Sequence, residues 1–170
     1  MNAWRPFRQR TGRGIISPMG DEGGWRWSDA WIFVSLIIAG GAGKHRRSAR
    51  TRRPEGVRLA DVLSTAEHLN RAIPARHEIE AAIRRLVGAG LVTVSDGWFR
   101  VTSAGERLWR TRPHGGVGTV VETMHGVLTR RHAPGNYDWV LDEEEHAAAV
   151  QEYAARFMLP TPRRSPENSG

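Results

Sequence analysis

Between Glu78 and Gly105 the sequence reads EIEAAIRRLVGAGLVTVSDGWFRVTSAG, and its apolar spacing changes once, near the middle. Ile79, Ala82, Ile83, Leu86 and Val87 recur at three- and four-residue intervals, the spacing of a helix with one buried face. Gly88 and Gly90 stop that helix. Beyond them the period drops to two, and Leu91, Val92 and Val94, then Trp98, Phe99 and Val101, are β-formers on either side of Ser95-Asp96-Gly97, a hairpin turn signal. A chain carrying this stretch has to pack a helix against a hairpin. The expected class is therefore mainly α with a small β-hairpin, an α+β fold.

The rest of the chain is read outward from there. Ser28 or Asp29 can cap a helix over 30–39 whose Trp31, Phe33, Val34, Leu36, Ile37 and Ile38 make it apolar nearly all round, so most of its surface needs covering. Residues 40–56, GGAGKHRRSARTRRPEG, form a flexible basic loop. The fragment GGAGK is not a phosphate-binding P-loop, because Ile38 stands at its first glycine and His45 where Ser or Thr is required. Val57-Arg58-Leu59 can form a short strand, followed by a helix over 59–68, a turn over 70–74 and a third helix over 75–87. Thr102 is an N-cap for a helix to about Thr111, with Leu108 and Trp109 inward; Trp98 and Trp109 are expected to pack on the third helix.

Two further helices are expected. One spans about 119–131, with Val120, Val121, Met124, Val127 and Leu128 on one side; the other starts at Asp142, with Val150, Tyr153, Ala154, Phe157 and Met158 on its apolar face. The expected organisation is a disordered basic arm over 1–24, a domain over 25–112, a helical extension over 113–159 and a disordered tail over 160–170.

Charge and composition narrow the function classes. The net charge is +7, and residues 1–56 hold 11 Lys and Arg against 4 Asp and Glu, so the excess lies outside the helix–hairpin stretch. Such a balance attracts anionic partners, although it says nothing of fold. Without cysteine there are no disulfides and no thiolate metal sites. The apolar run over 30–42 is too short to span a bilayer and reads as a buried helix rather than a leader. No enzyme, metal or cofactor signature stands out: His77-Glu78 is followed by Ala81 where H-E-x-x-H needs its second histidine, and no nucleophile elbow frames a serine.

The order apolar helix, basic loop, helix, turn, helix ending LVGAGLV, hairpin VSDGWFRVT and then SAGERLW resembles the winged helix-turn-helix superfamily. It is similar in particular to bacterial regulators of the MarR and PadR type, on Leu86, Gly90, Leu91, Val92, Val101, Thr102 and Gly105. The resemblance covers about Ser28 to Thr111 and implies a winged helix-turn-helix domain followed by two C-terminal helices. It further implies that the outward face of the third helix meets double-stranded DNA in the major groove.

With Ile79, Ile83 and Leu86 inward, His77, Ala81 and Arg84 point outward and Arg76, Glu78, Glu80 and Arg85 lie on the flanks. The nucleic-acid-binding set expected under the resemblance is Arg76, His77, Arg84 and Arg85 on the helix, Arg100 on the wing, and Lys44, Arg46, Arg47, Arg50, Arg52 and Arg53 in the basic loop. Glu80 can pair with Arg84, and Asp96 at the wing tip repels phosphate, so a solvated face of mixed charge is the plainer alternative. The resulting expectation is a cytoplasmic DNA-binding regulator, dimeric through its C-terminal helices and not a membrane protein. The competing one is a protein-interaction or ligand-sensing adaptor on the same scaffold, without DNA binding.

Overall fold

The computed structural model describes residues 23–41 and 55–158. The basic loop residues Lys44, Arg46, Arg47, Arg50, Arg52 and Arg53, nearly all of the expected arm and all of the expected tail lie outside them. Mainly helical, the fold carries one small antiparallel sheet. Its elements run α1 (Trp27–Ala39), β1 (Val57–Arg58), α2 (Leu59–Asn70), α3 (Arg76–Gly88), β2 (Val92–Ser95), β3 (Trp98–Val101), α4 (Ser103–Arg110), a short 3-10 turn at Val117–Thr119, α5 (Val120–Arg131) and α6 (Glu143–Met158).

α1 is the centre of the packing. Ala30, Ile32, Phe33, Val34 and Ile37 are wholly buried, because α2, α3 and α5 cover the helix from different sides. The helix begins earlier than the sequence suggests, at Trp27. Asp29 acts from its third position and accepts a hydrogen bond from the Arg26 N–H at 2.7 Å, tying down one of the donors that a helix start leaves free. α3 buries Ile79, Ala82, Ile83 and Leu86 against α1, the face that the three- and four-residue spacing marks out.

The expected hairpin is present, with Val92 opposite Val101 and Ser95 opposite Trp98. Its turn residues Asp96 and Gly97 both take positive φ, 51° and 75°, the left-handed pair that a two-residue type I′ turn demands. β1 adds a third strand on the other side of β3, with Val57 opposite Phe99 and Arg58 opposite Trp98. Val57 and Phe99 therefore point into the core, while Arg58 and Trp98 share the outer face. This overturns the expectation that Trp98 packs on the third helix: the two-residue period puts it on the same side as Arg58, whose guanidinium carbon lies 5.2 Å from its ring centroid. Trp109 is buried as expected, and the Arg112 guanidinium lies 3.3 Å over its ring.

Thr102 caps α4, its Oγ1 accepting from the Gly105 N–H at 3.2 Å. The two C-terminal helices pack back onto the same chain. α5 buries Val121, Met124, Val127 and Leu128 against α1, and α6 lies on α2 with Ala149 buried and Val150 and Tyr153 half-buried. Ala154, expected on that apolar face, is exposed. No helix among the described residues is long and apolar enough to cross a membrane.

Candidate nucleic-acid interface

Arg85 is the first of the expected contact residues whose neighbourhood differs from a free surface. It stands on the α3 flank that faces α1, and its Nη1 lies 3.0 Å from Asp29 Oδ1. Asp29 has no exposed surface and the Arg85 side chain only 16 %. A carboxylate removed from water needs a partner, and Arg85 is that partner. Arg85 thus joins two core helices, and its charge is already matched.

Arg76 and Arg84 lie on the opposite flank, with Glu80 between them at helical spacing. Glu80 is 3.5 Å from Arg76 and 3.7 Å from Arg84. The pairing with Arg84 that the sequence suggests is present, and Arg76 shares it. Both arginines also meet a part of the chain far away in sequence. Residues 132–142, the connection between α5 and α6, run along this flank without regular secondary structure.

The connection runs antiparallel to α3. Near the C-terminal end of the helix, the Gly135 N–H donates to the Arg85 carbonyl at 3.2 Å and the Tyr137 N–H to the Arg84 carbonyl at 3.1 Å. Asp138 lies 3.8 Å from Arg84. Toward the N-terminal end, the Leu141 N–H donates to Glu80 Oε2 at 3.0 Å, and Arg76 donates to the Leu141 carbonyl at 2.7 Å. Three side chains of the expected reading helix, Arg76, Glu80 and Arg84, are thus engaged by this connection, and a fourth, Arg85, by α1.

Two apolar contacts fasten the connection. Leu141 is fully buried, a burial that contributes about 1.5–3 kcal/mol. Trp139 meets the buried Phe99 of β3 edge-on, ring centroids 5.8 Å apart at 84°. At the α3 end, Gly88 and Gly135 approach backbone to backbone so closely that a Cβ on either would collide with the other segment. At the first residue of the connection, the His132 carbonyl accepts from the Trp25 indole N–H at 2.8 Å. Beyond it, Arg156 of α6 reaches Asp61 of α2 at 2.8 Å, and the hydrogen bond with Asp61, then that with Glu152, raises the Arg156 pKa above its ordinary value.

His77 and Arg100 remain exposed. Arg100 belongs to the outer face of the sheet, where Thr93, Ser95, Asp96, Trp98 and Glu55 join it around an open groove of about 330 Å³. Arg58 lies on this face too, stacked on Trp98. Sequence reasoning missed Arg58 as a candidate contact because nothing local shows that Val57-Arg58 pairs with β3. Glu55 and Asp96 bring negative charge to the same groove. After residue 41 the described residues resume at Glu55, beside this sheet.

Among the described residues no group of three or more His, Asp or Glu side chains is placed to hold a metal ion. Comparison with family models, with curated proteins and with solved structures finds no match for this chain.

Proposed function

We propose that this chain is a winged-helix DNA-binding protein that meets duplex phosphates through the outer face of its sheet and through the basic residues of the 44–53 stretch. The observation that carries the reading is the placement of Arg58 and Arg100 on one exposed face, with Glu55 beside them. The order α1, β1, α2, α3, β2, β3 supports the same reading, since it sets two helices joined by a short turn before a two-stranded hairpin, to which the earlier β1 adds a third strand. Arginine and serine or threonine hydroxyls on that face suit phosphate and sugar contact, which positions a protein without specifying sequence. A bacterial transcriptional regulator is the role that fits.

Counterion release supplies the test. If the six loop cations and Arg58 and Arg100 all met phosphate, the logarithm of affinity for mixed-sequence duplex would fall with the logarithm of salt by a slope of about −7. Fluorescence anisotropy over a salt series measures it. Absent or salt-independent binding would remove the proposal.

A protein-interaction adaptor is the second reading, favoured by one specific observation: the Arg76, Glu80 and Arg84 stripe of α3 is already occupied by residues 132–142. A partner captured equally well with and without nuclease, together with no duplex binding, would select it.

A further inference from the structure

We propose that residues 132–142 are an intramolecular strap that keeps α3 out of the major groove, so that duplex and strap compete for the same flank of the helix. The inference rests on the DNA-binding reading given above. It adds the flank of α3 as a second surface for the duplex, controlled by this segment.

The argument begins with dimensions. A helix with its side chains is about 10–12 Å across and the B-form major groove about 12 Å wide, so a reading helix nearly fills the groove by itself. A second peptide segment hydrogen-bonded along one flank leaves no room for the groove wall. Here that segment bonds to α3 at both ends, through Gly135 and Tyr137 at one and Leu141 at the other. It also takes up the side chains that would face the nucleic acid: Arg84 is shared between Glu80 and Asp138, and Arg76 donates to the Leu141 carbonyl. A duplex would replace these partners with phosphates and base edges.

The strap is held near its ends, by Leu141 at one and by the Gly88–Gly135 approach at the other, and is more open between them. It has no regular secondary structure, and two of its members, Tyr137 and Val140, leave 45 % and 64 % of their surface exposed. Asp138, its ionic contact to Arg84, is almost entirely in solvent. What fixes the α3 end is the close approach of Gly88 and Gly135, which a single methyl on either side would prevent. The acidic start of α6 follows directly. Glu145 lies near Gly97 at the hairpin tip, so the strap also leads a run of carboxylates to the place where phosphates would pass.

Gly88→Ala and Gly135→Ala test this without altering any charge. In each full-length variant, circular dichroism and thermal melting report the fold, and hydrogen exchange of the 135–141 amides reports the strap. The expected result is faster exchange confined to the strap and its α3 contacts, with affinity for mixed duplex raised about tenfold at fixed salt. Gly88→Ala also improves the helix locally, so it remains informative if Gly135→Ala unfolds the chain. In the wild-type protein, saturating duplex should speed exchange of the same amides. If the wild type binds duplex while the strap stays protected, or if the variants free the strap without a gain in affinity, the inference is overturned and the DNA-binding reading stands. If neither wild type nor variants bind duplex although the strap is freed, both fail together. Unchanged strap exchange in both variants would also overturn the inference, because the segment would then not move independently of α3.

Discussion

Asp29 and Arg85 form an ion pair between the first turn of α1 and the last turn of α3, with Asp29 wholly buried and 3.0 Å from the guanidinium. One oxygen also accepts the Arg26 N–H. The pair therefore fixes both the start of the central helix and the angle at which α3 meets it. Breaking one side of a buried pair leaves the other charge stranded. Asp29→Ala and Arg85→Ala should each cost about 3–5 kcal/mol, read from urea unfolding, and the double variant should cost clearly less than the sum of the two. Additive losses would mean that the residues do not support each other.

Gly105 occupies a place where the backbone leaves no room. A Cβ there would sit 2.5 Å from the Leu91 carbonyl oxygen and 2.7 Å from Val101 Cγ1. Leu91 also accepts the Thr102 N–H through that carbonyl, so it cannot move away freely. Gly105→Ala is expected to destabilise the chain by about 1–3 kcal/mol, visible as a lower melting temperature. Gly116→Ala, where the added methyl meets nothing, should leave the melting temperature within a degree or so of wild type.

The hairpin tip separates charge from geometry. Asn tolerates the positive φ of residue 96 as well as Asp does, so Asp96→Asn should preserve the turn and its stability. Removing that carboxylate beside Arg100 should strengthen duplex binding at low salt and less so at high salt, because the effect is a screened surface interaction. An Asp96→Asn protein of unchanged duplex affinity at low salt would place the nucleic acid away from this face.

Self-association is expected to be absent. Much of the apolar surface that the sequence offers for a dimer is used within the chain, Val121, Met124, Val127 and Leu128 of α5 by α1, and Ala149, Val150 and Tyr153 of α6 by α2. The large hydrophobic residues left exposed among the described residues are Ile38, Ile73, Tyr137 and Val140. Light scattering should return the one-chain mass of 19.0 kDa up to high concentration. A mass twice that would mean that an interface exists beyond these faces.

The sequence by itself determined the parts that depend on short-range rules. The three- and four-residue spacing of Ile79, Ile83 and Leu86 picked the buried face of α3, Asp96-Gly97 picked the turn, and Thr102 picked the start of α4, because helix period, turn sterics and capping act within a few residues. Other features were settled by packing alone. Arg85 reads locally as one more cation on a mixed flank, and only the approach of α1 gives it Asp29, 56 positions away. Arg58 and Trp98 read as a strand residue and a core aromatic, until β1 pairs with β3 and turns both outward. Residues 132–142 read as a break between helices. Their contact with Glu80 and Arg76 spans about sixty residues, and no local period encodes which surface an irregular segment will cover. That was decided by where α5 and α6 dock, since once those helices rest on α1 and α2 the connection between them passes along α3.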